Sequence, residues 1–367
     1  MSSSSLSSLS SSWSLSSSRP RPLLALAAPL CLWLAWACTP APKPAEVRSA
    51  QPAPSLAPKV GAELSGKPSE DSAAPGVAPA LGAEALPTWP DLPRVRVVLV
   101  GDTGEPGPAL ETIRAAIARE PDKTLILALG DLIYPIAPAC EPGTLDADHL
   151  QTLQTHVGAA LEGLGAPVFL VLGNHDTGNL HTQAVWRSPA REACMIGFAA
   201  QHPDLYLPSA ELYHADLGPV RLLVSNTNAL TPEDGTRAQE LVAQRPEAWF
   251  VLAGHHVLKT YHDKEGEDFV APWLRANGLK PDLYTNGHAH FLQFGVYDQT
   301  PALTSGSGSK LRERPACPPE CGPGQLWGQS MYGYAVLEAD AQTLQVTFKD
   351  ARGLPLWSWS RSRAKTP

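Results

Sequence analysis

The sequence predicts an α/β domain, with mixed sheets and helices packed outside them, behind a long N-terminal segment that adds nothing to the core. Three observations carry this. From Val95 to Thr285, short runs of branched apolar residues alternate with amphipathic stretches, the pattern of buried strands joined by helices. Beyond His290 the pattern changes to period-two alternation, as in antiparallel strands and hairpins. Residues 2–18 are nearly all Ser and residues 39–93 are rich in Pro and Ala. Such segments bury too little apolar surface to offset the entropy of ordering them. Setting residues 1–92 aside leaves roughly 275 of 367 residues, the size of one large domain.

The N-terminal elements come first. Arg19 and Arg21 precede an apolar run from Leu23 to Ala37. That run is short of the roughly 20 residues a membrane span needs and fits the apolar part of a secretory signal. Ala35-Trp36-Ala37 offers a small-x-small cleavage pattern, and Cys38 follows at once. This arrangement resembles a bacterial lipoprotein signal, in which the Cys is lipidated. It departs from that pattern where Ala35 and Trp36 replace the usual Leu and small residue. The expectation is a signal segment over 1–38, a disordered Pro/Ala-rich tether over 39–92, and a folded domain over 93–360. The protein is then exported to the cell envelope, either anchored through Cys38 or periplasmic or secreted.

Within the domain, Val95–Val100 reads as a strand buried on both faces, Pro108–Arg119 as a helix and Thr124–Leu129 as the next strand. Asp146–Leu164 reads as a helix, and Val168–Leu172 and Val220–Ser225 as strands. A helix near Thr236–Gln244, a strand over Ala248–Ala253, a helix near Asp268–Asn277 and a short strand over Asp282–Thr285 follow. Phe291–Tyr297, Gly333–Glu338 and Leu344–Phe348 read as antiparallel strands.

The net charge of −8 falls on residues 93–367, because residues 1–92 carry equal numbers of acidic and basic groups. An acidic domain without Lys/Arg runs argues against nonspecific nucleic-acid binding. Four cysteines lie in the domain: Cys140, Cys194, Cys317 and Cys321. In an exported chain they point to disulfides, with three possible connectivities. Local pairing of Cys317 with Cys321 would leave Cys140 for Cys194; a zinc site at Cys317 and Cys321 is the alternative, without a second Cys/His pair to complete it.

The chemistry sits at strand ends. Five predicted strands each run into a polar cluster opened by glycine: Gly101-Asp102-Thr103-Gly104, Gly130-Asp131-Leu132-Ile133-Tyr134, Gly173-Asn174-His175-Asp176, Gly254-His255-His256 and Gly287-His288-Ala289-His290. Ligands of open α/β sheets bind beyond the carboxyl ends of strands, so the clusters are expected to converge. Carboxylate, imidazole, amide and phenol groups together suit hard or borderline metals, in more than the number one ion needs.

These five clusters resemble the calcineurin-like metallophosphoesterases, and more narrowly the small purple acid phosphatases of the tartrate-resistant type. The resemblance spans Gly101 to His290. It implies a sandwich of two mixed β-sheets flanked by helices, an αββα arrangement. Most of the wider family has His two residues after the first Asp; here that residue is Gly104, and Tyr134 supplies a phenolate that favours a harder, trivalent ion. The resemblance implies that Asp102, Asp131, Tyr134 and His290 hold Fe(III). Asp131 then bridges to a divalent Fe, Zn or Mn ion completed by Asn174, His255 and His288. It further implies an acid phosphomonoesterase acting on a small phosphorylated substrate, in which metal-bound hydroxide attacks phosphorus in line. His175 is the candidate general acid and Asp176 the residue that orients its ring.

His256 beside the ligand and His262 on the following loop have two readings each, lining the pocket or facing solvent. His181 closely follows the third cluster. The run Ser305–Lys310 follows a strand and could approach the site, but it lacks the frame of a phosphate-binding P-loop and reads as a flexible turn. The chain is expected to be a monomer. The alternatives are a phosphodiesterase or nucleotide hydrolase with the same site and, from another class, a non-catalytic surface binding protein.

Overall fold

Two seven-stranded mixed sheets face each other in a computed structural model of the chain, which describes residues 86–141, 144–178, 188–259 and 269–363. All of these fall within one unit, Ala73–Pro367; a first unit, Met1–Ser72, lies outside the described residues, as do the expected signal segment and most of the expected tether. The strands are β1 (Arg94–Val100), β2 (Leu125–Ala128), β3 (Val168–Leu170), β4 (Leu205–Tyr206), β5 (Leu212–Leu217), β6 (Val220–Ser225) and β7 (Trp249–Ala253). They continue as β8 (Leu283–Asn286), β9 (Leu292–Tyr297), β10 (Thr300–Ser305), β11 (Gln325–Gln329), β12 (Gly333–Asp340), β13 (Thr343–Asp350) and β14 (Pro355–Ser362). The helices are α1 (Pro108–Ala118), α2 (Ala147–Leu153), α3 (Ala159–Leu161), α4 (Asn174–Thr177), α5 (Pro189–Ala199), α6 (Pro232–Ala243) and α7 (Val270–Ala276).

One sheet has the order β14-β13-β12-β1-β2-β3-β4 and the other β11-β9-β10-β8-β7-β6-β5. The parity of β1 shows why its sequence is apolar throughout. Val95, Val97 and Leu99 enter the core between the sheets, alongside Leu127, Phe169, Val224, Trp249 and Val251. Val98 and Val100 face the other way, onto Ile113 and Ile117 of α1 and Phe198 of α5. The second sheet turns Leu223, Phe250 and Leu252 outward onto α6 and α7. Helices therefore cover both outer faces, and the expected αββα sandwich is present.

Several boundaries move for local reasons. The expected helix over Asp146–Leu164 is interrupted by a π-helical turn at Gln154–Gly158 and ends before Gly163 and Gly165, both left-handed at φ 68 and 76°. Helix α6 starts at Pro232, four residues earlier than expected. Thr231 caps it, accepting from the Asp234 amide at 3.1 Å, while Asp234 reaches back to the Thr231 amide at 3.0 Å. Trp89 bridges to Leu217 ahead of β1, and β14 runs to Ser362. Cys140 bonds to Cys194, and Cys317 to Cys321, so the pairing is local for one bridge and long-range for the other.

Strands β1, β2 and β3 run parallel, as do β6, β7, β8 and β10. Their carboxyl ends meet where Gly101 N donates to Ser305 O at 2.7 Å, stitching one sheet to the other. The five clusters gather at that edge.

Candidate metal centre

The seven candidate ligands form two groups that share Asp131. In the first, the Tyr134 hydroxyl lies 2.9 Å from Asp102 Oδ1, 2.9 Å from Asp131 Oδ2 and 3.0 Å from His290 Nε2. His290 Nε2 is 3.2 Å from Asp102 Oδ1. In the second, Asn174 Oδ1 lies 3.1 Å from His255 Nε2 and 3.0 Å from His288 Nδ1. His255 Nε2 is 3.3 Å from Asp131 Oδ1. The two oxygens of Asp131 thus face different groups. Asp102, Asp131 and His290 offer ligand atoms close enough for one ion, and Asp131, His255 and His288 do so for another.

The backbone is bent to achieve this. Asp102, Asp131, His288 and His290 all sit in the left-handed region, at φ 58, 53, 70 and 49°. Each such residue costs of the order of 1–3 kcal/mol and persists where its surroundings hold it. Those surroundings are hydrogen bonds between strand ends: Asp102 N donates to Gly130 O at 2.8 Å, Gly104 N to Asp131 O at 3.0 Å and His288 N to Asp102 Oδ2 at 2.7 Å. Gly104 is required for another reason. A Cβ there would lie 2.4 Å from Ile133 N, so only glycine lets the second cluster close onto the first and bring Tyr134 in.

The electrostatics are those of an electron-rich pocket. Burial raises the Asp131 carboxyl, but His255, His175 and His288 more than reverse this and hold it well below the carboxylate range. Burial, then Asp102 and Asp131, push the Tyr134 phenol far above its ordinary value, so a phenolate needs a cation beside it. Burial disfavours charge on His255, yet the Asp131 carboxylate raises it to about 10. His255 Nδ1 donates to Leu129 O at 2.8 Å, which turns Nε2 inward as the atom that would meet an ion. Oxygen and nitrogen donors of this kind, shared through one carboxylate, fit two hard or borderline ions.

His175 stands over the shared carboxylate. Its Nδ1 donates to Pro135 O at 2.5 Å, its Nε2 lies 3.9 Å from Asp131 Oδ2, and its ring meets Tyr134 edge-on at 4.5 Å. The ring is a quarter exposed. Asp176 does not orient that ring, contrary to the sequence expectation. Its oxygens accept from Leu132 N at 2.8 Å and Gly173 N at 2.7 Å, tying the third cluster to the second. Fully buried beside Asp131, its carboxyl is pushed up to about 7 by burial first and by that charge second. His256 is buried, with Nδ1 2.8 Å from Thr227 Oγ1. His262 and His181 lie outside the described residues.

Two contributors escaped the sequence reading, and a third was read as a flexible turn. Thr227, after β6, accepts from the amides of both His255 and His256 at 3.1 Å; it carries no titratable group and so gave no signal. His156, on the π-helical turn, reaches Gly104 O at 2.6 Å. The Ser305–Lys310 run is not a free turn. Ser309 donates through N and Oγ to Asp102 O, at 2.8 and 2.6 Å.

The calcineurin-like phosphoesterase family profile matches residues 95–292. Purple acid phosphatase 4 of Arabidopsis thaliana is 29% identical over 305 residues, covering 73% of this chain and 84% of that protein. Among solved structures, purple acid phosphatase PPD1 from yellow lupin (Lupinus luteus) seeds superposes with a TM-score of 0.57 at 16% identity, covering 76% of this chain and 55% of that one. GAP50, the anchor in the inner membrane complex of Plasmodium, gives a TM-score of 0.56 at 15% identity over 74% of this chain and 90% of its own. At those identities the structures share the fold alone. The profile covers more than half of the sequence, and with the convergent donor set it places the chain: it belongs to the calcineurin-like phosphoesterase family, as a metal-dependent phosphoester hydrolase similar to purple acid phosphatases.

Proposed function

We propose that the chain is an exported acid phosphomonoesterase with Fe(III) beside a divalent Fe, Zn or Mn ion. The observation that carries this reading is the Tyr134 hydroxyl at 2.9 Å from Asp102 and Asp131, with Gly104 where a His ligand would otherwise stand. Asp102, Asp131, Tyr134 and His290 hold the trivalent ion; Asp131, Asn174, His255 and His288 hold the divalent one. When bound, the ions supply Lewis acidity, activating water below neutral pH and offsetting charge on the phosphoryl oxygens.

The residues around the ions do the rest. His175 is held by Pro135 O through Nδ1, so its Nε2 edge faces the space above Asp131, where a substrate phosphate would lie. From there it protonates the leaving alkoxide. Asp176 serves the reaction only by locking the Asn174 loop to the Asp131 loop. Substrates are small phosphorylated molecules, taken by a monomer without specific nucleic-acid binding. Export through the segment over 1–38, with lipidation at Cys38, and a tether beyond it belong to the same proposal; the domain starts ahead of residue 93 and runs past residue 360, because Leu86, Trp89 and Leu92 pack on its core and β14 ends at Ser362. Among the described residues no helix is long and apolar enough to cross a membrane.

The test is a pair of assays at acid pH, one with a phosphomonoester and one with a bis-ester, on iron-loaded wild type and Tyr134→Phe. The expected result is monoester turnover together with a visible phenolate-to-iron absorption band that Tyr134→Phe abolishes. A band that survives Tyr134→Phe contradicts the ligand set. Faster turnover of the bis-ester contradicts the substrate class.

A further inference from the structure

Lys310 lies against the candidate metal centre without belonging to any of the five clusters. Its Nζ sits 3.8 Å from the centroid of the Tyr134 ring, on the face of the phenol. The position is built, not incidental. Gly306 and Gly308 are pressed so closely on the first cluster that a Cβ would lie 2.8 Å from Asp102 Oδ2 or 2.6 Å from Gly101 O. Ser309 is bonded twice to Asp102 O, and its hydroxyl accepts from Glu105 N at 3.0 Å. Lys310 follows immediately, and Glu105 Oε2 steadies its ammonium at 3.6 Å. The strand-end run therefore delivers one cation to one aromatic face.

We propose that Lys310 is a positioning residue for Tyr134: its ammonium, seated on the face of the ring, holds the phenol oxygen against Asp102 and Asp131. The proposal rests on the Fe(III)–phenolate reading above. A cation over the face of an aromatic ring is attracted to its negative quadrupole, and to a phenolate more strongly. Stabilising the phenolate lowers its donor orbital, so transferring an electron from it to iron takes more energy. Lys310 thus sets the wavelength of the absorption band. It also favours retention of the trivalent ion, because a ring already held in place loses less freedom when it ligates.

The experiment compares iron-loaded wild type with Lys310→Met, Lys310→Arg and Glu105→Gln, reading the visible band and the release of iron to a chelator. Lys310→Met is expected to move the band to longer wavelength and to release iron about tenfold more readily, the scale of a partly desolvated cation–π contact. Lys310→Arg, whose guanidinium also stacks on rings, should keep the wild-type band. Glu105→Gln removes the counter-charge and should shift the band the opposite way. Wild type without any band overturns the iron reading itself. A wild-type band that Lys310→Met leaves at the same wavelength, with unchanged iron release, overturns the role of Lys310 and spares that reading. If Lys310→Met does not fold, an unshifted band in Glu105→Gln overturns it equally.

Discussion

Replacing Gly104 by alanine adds one methyl group at the point where the first two clusters touch. Gly104 is not in the left-handed region, so alanine can adopt its backbone conformation and the penalty is steric. The new Cβ would lie 2.4, 2.5 and 2.6 Å from the N, Cα and carbonyl carbon of Ile133. Ordinary contact begins near 3.4 Å, so the backbone just before Tyr134 has to retreat by about 1 Å. No flexible side chain can absorb that movement, because every atom in the way is main chain. Overpacking of this kind costs about 1–3 kcal/mol. Displacing a group that sets the reacting geometry by about 1 Å costs on the order of 100-fold in rate. The assay is kcat/KM for a chromogenic phosphomonoester, with thermal unfolding of both proteins measured alongside. The expected result is a lowered Tm and a kcat/KM reduced by about two orders of magnitude. A Gly104→Ala protein within twofold of wild type in kcat/KM, with an unchanged Tm, would refute the argument that this close approach positions Tyr134.

Three further predictions concern what holds the site and its scaffold. Asp176→Ala leaves the buried amides of Leu132 and Gly173 without acceptors and should destabilise the fold by about 2–5 kcal/mol in denaturant unfolding; a loss below 0.5 kcal/mol contradicts the clamp. Glu120 is buried and accepts from Arg96 at 2.7 Å, Tyr334 at 2.6 Å and Lys349. Burial alone would raise its carboxyl, and these donors bring it below its ordinary value. A lowered folded value means that its contribution is full above the unfolded value, near pH 4.3, and fades as pH falls through the folded one. Glu120→Gln should therefore flatten the acid limb of the stability profile, and a profile parallel to wild type would count against it. The Cys140–Cys194 bridge closes a loop of sequence separation 54, and the Cys317–Cys321 bridge one of 4. Loop-closure entropy gives about 4 kcal/mol for the first and about 2 for the second, so Cys140→Ala with Cys194→Ala should lower Tm more than the other pair does.

How much of this could be read from the sequence depends on where each group's partner lies. Val95–Val100 announced a strand buried on both faces, and its alternate residues do enter two different cores. The five clusters were legible because each follows its strand directly, and strand ends of a parallel sheet share an edge. Asp176 shows the limit. It adjoins His175 in sequence, but on the short helix α4 its side chain turns back to Gly173 N and across to Leu132 N. Sequence neighbours on a helical turn point in different directions. Thr227, and the contact of Lys310 with Tyr134, could not be read for the opposite reason. Thr227 acts by accepting backbone amides, which no motif records, and Lys310 reaches Tyr134 from 176 positions further along the chain. The strands β4, β5, β11 and β14 lie at or near the sheet edges, where shorter or half-exposed runs weaken the apolar pattern.

In the proposed site Asp131 divides its two oxygens between two ions that act together. Counting metal ions per chain in the fraction that hydrolyses a phosphomonoester tests it most directly. Two ions per active chain are expected, both released when Asp131 is replaced by Ala. Full activity with one ion per chain, or with none, would contradict it.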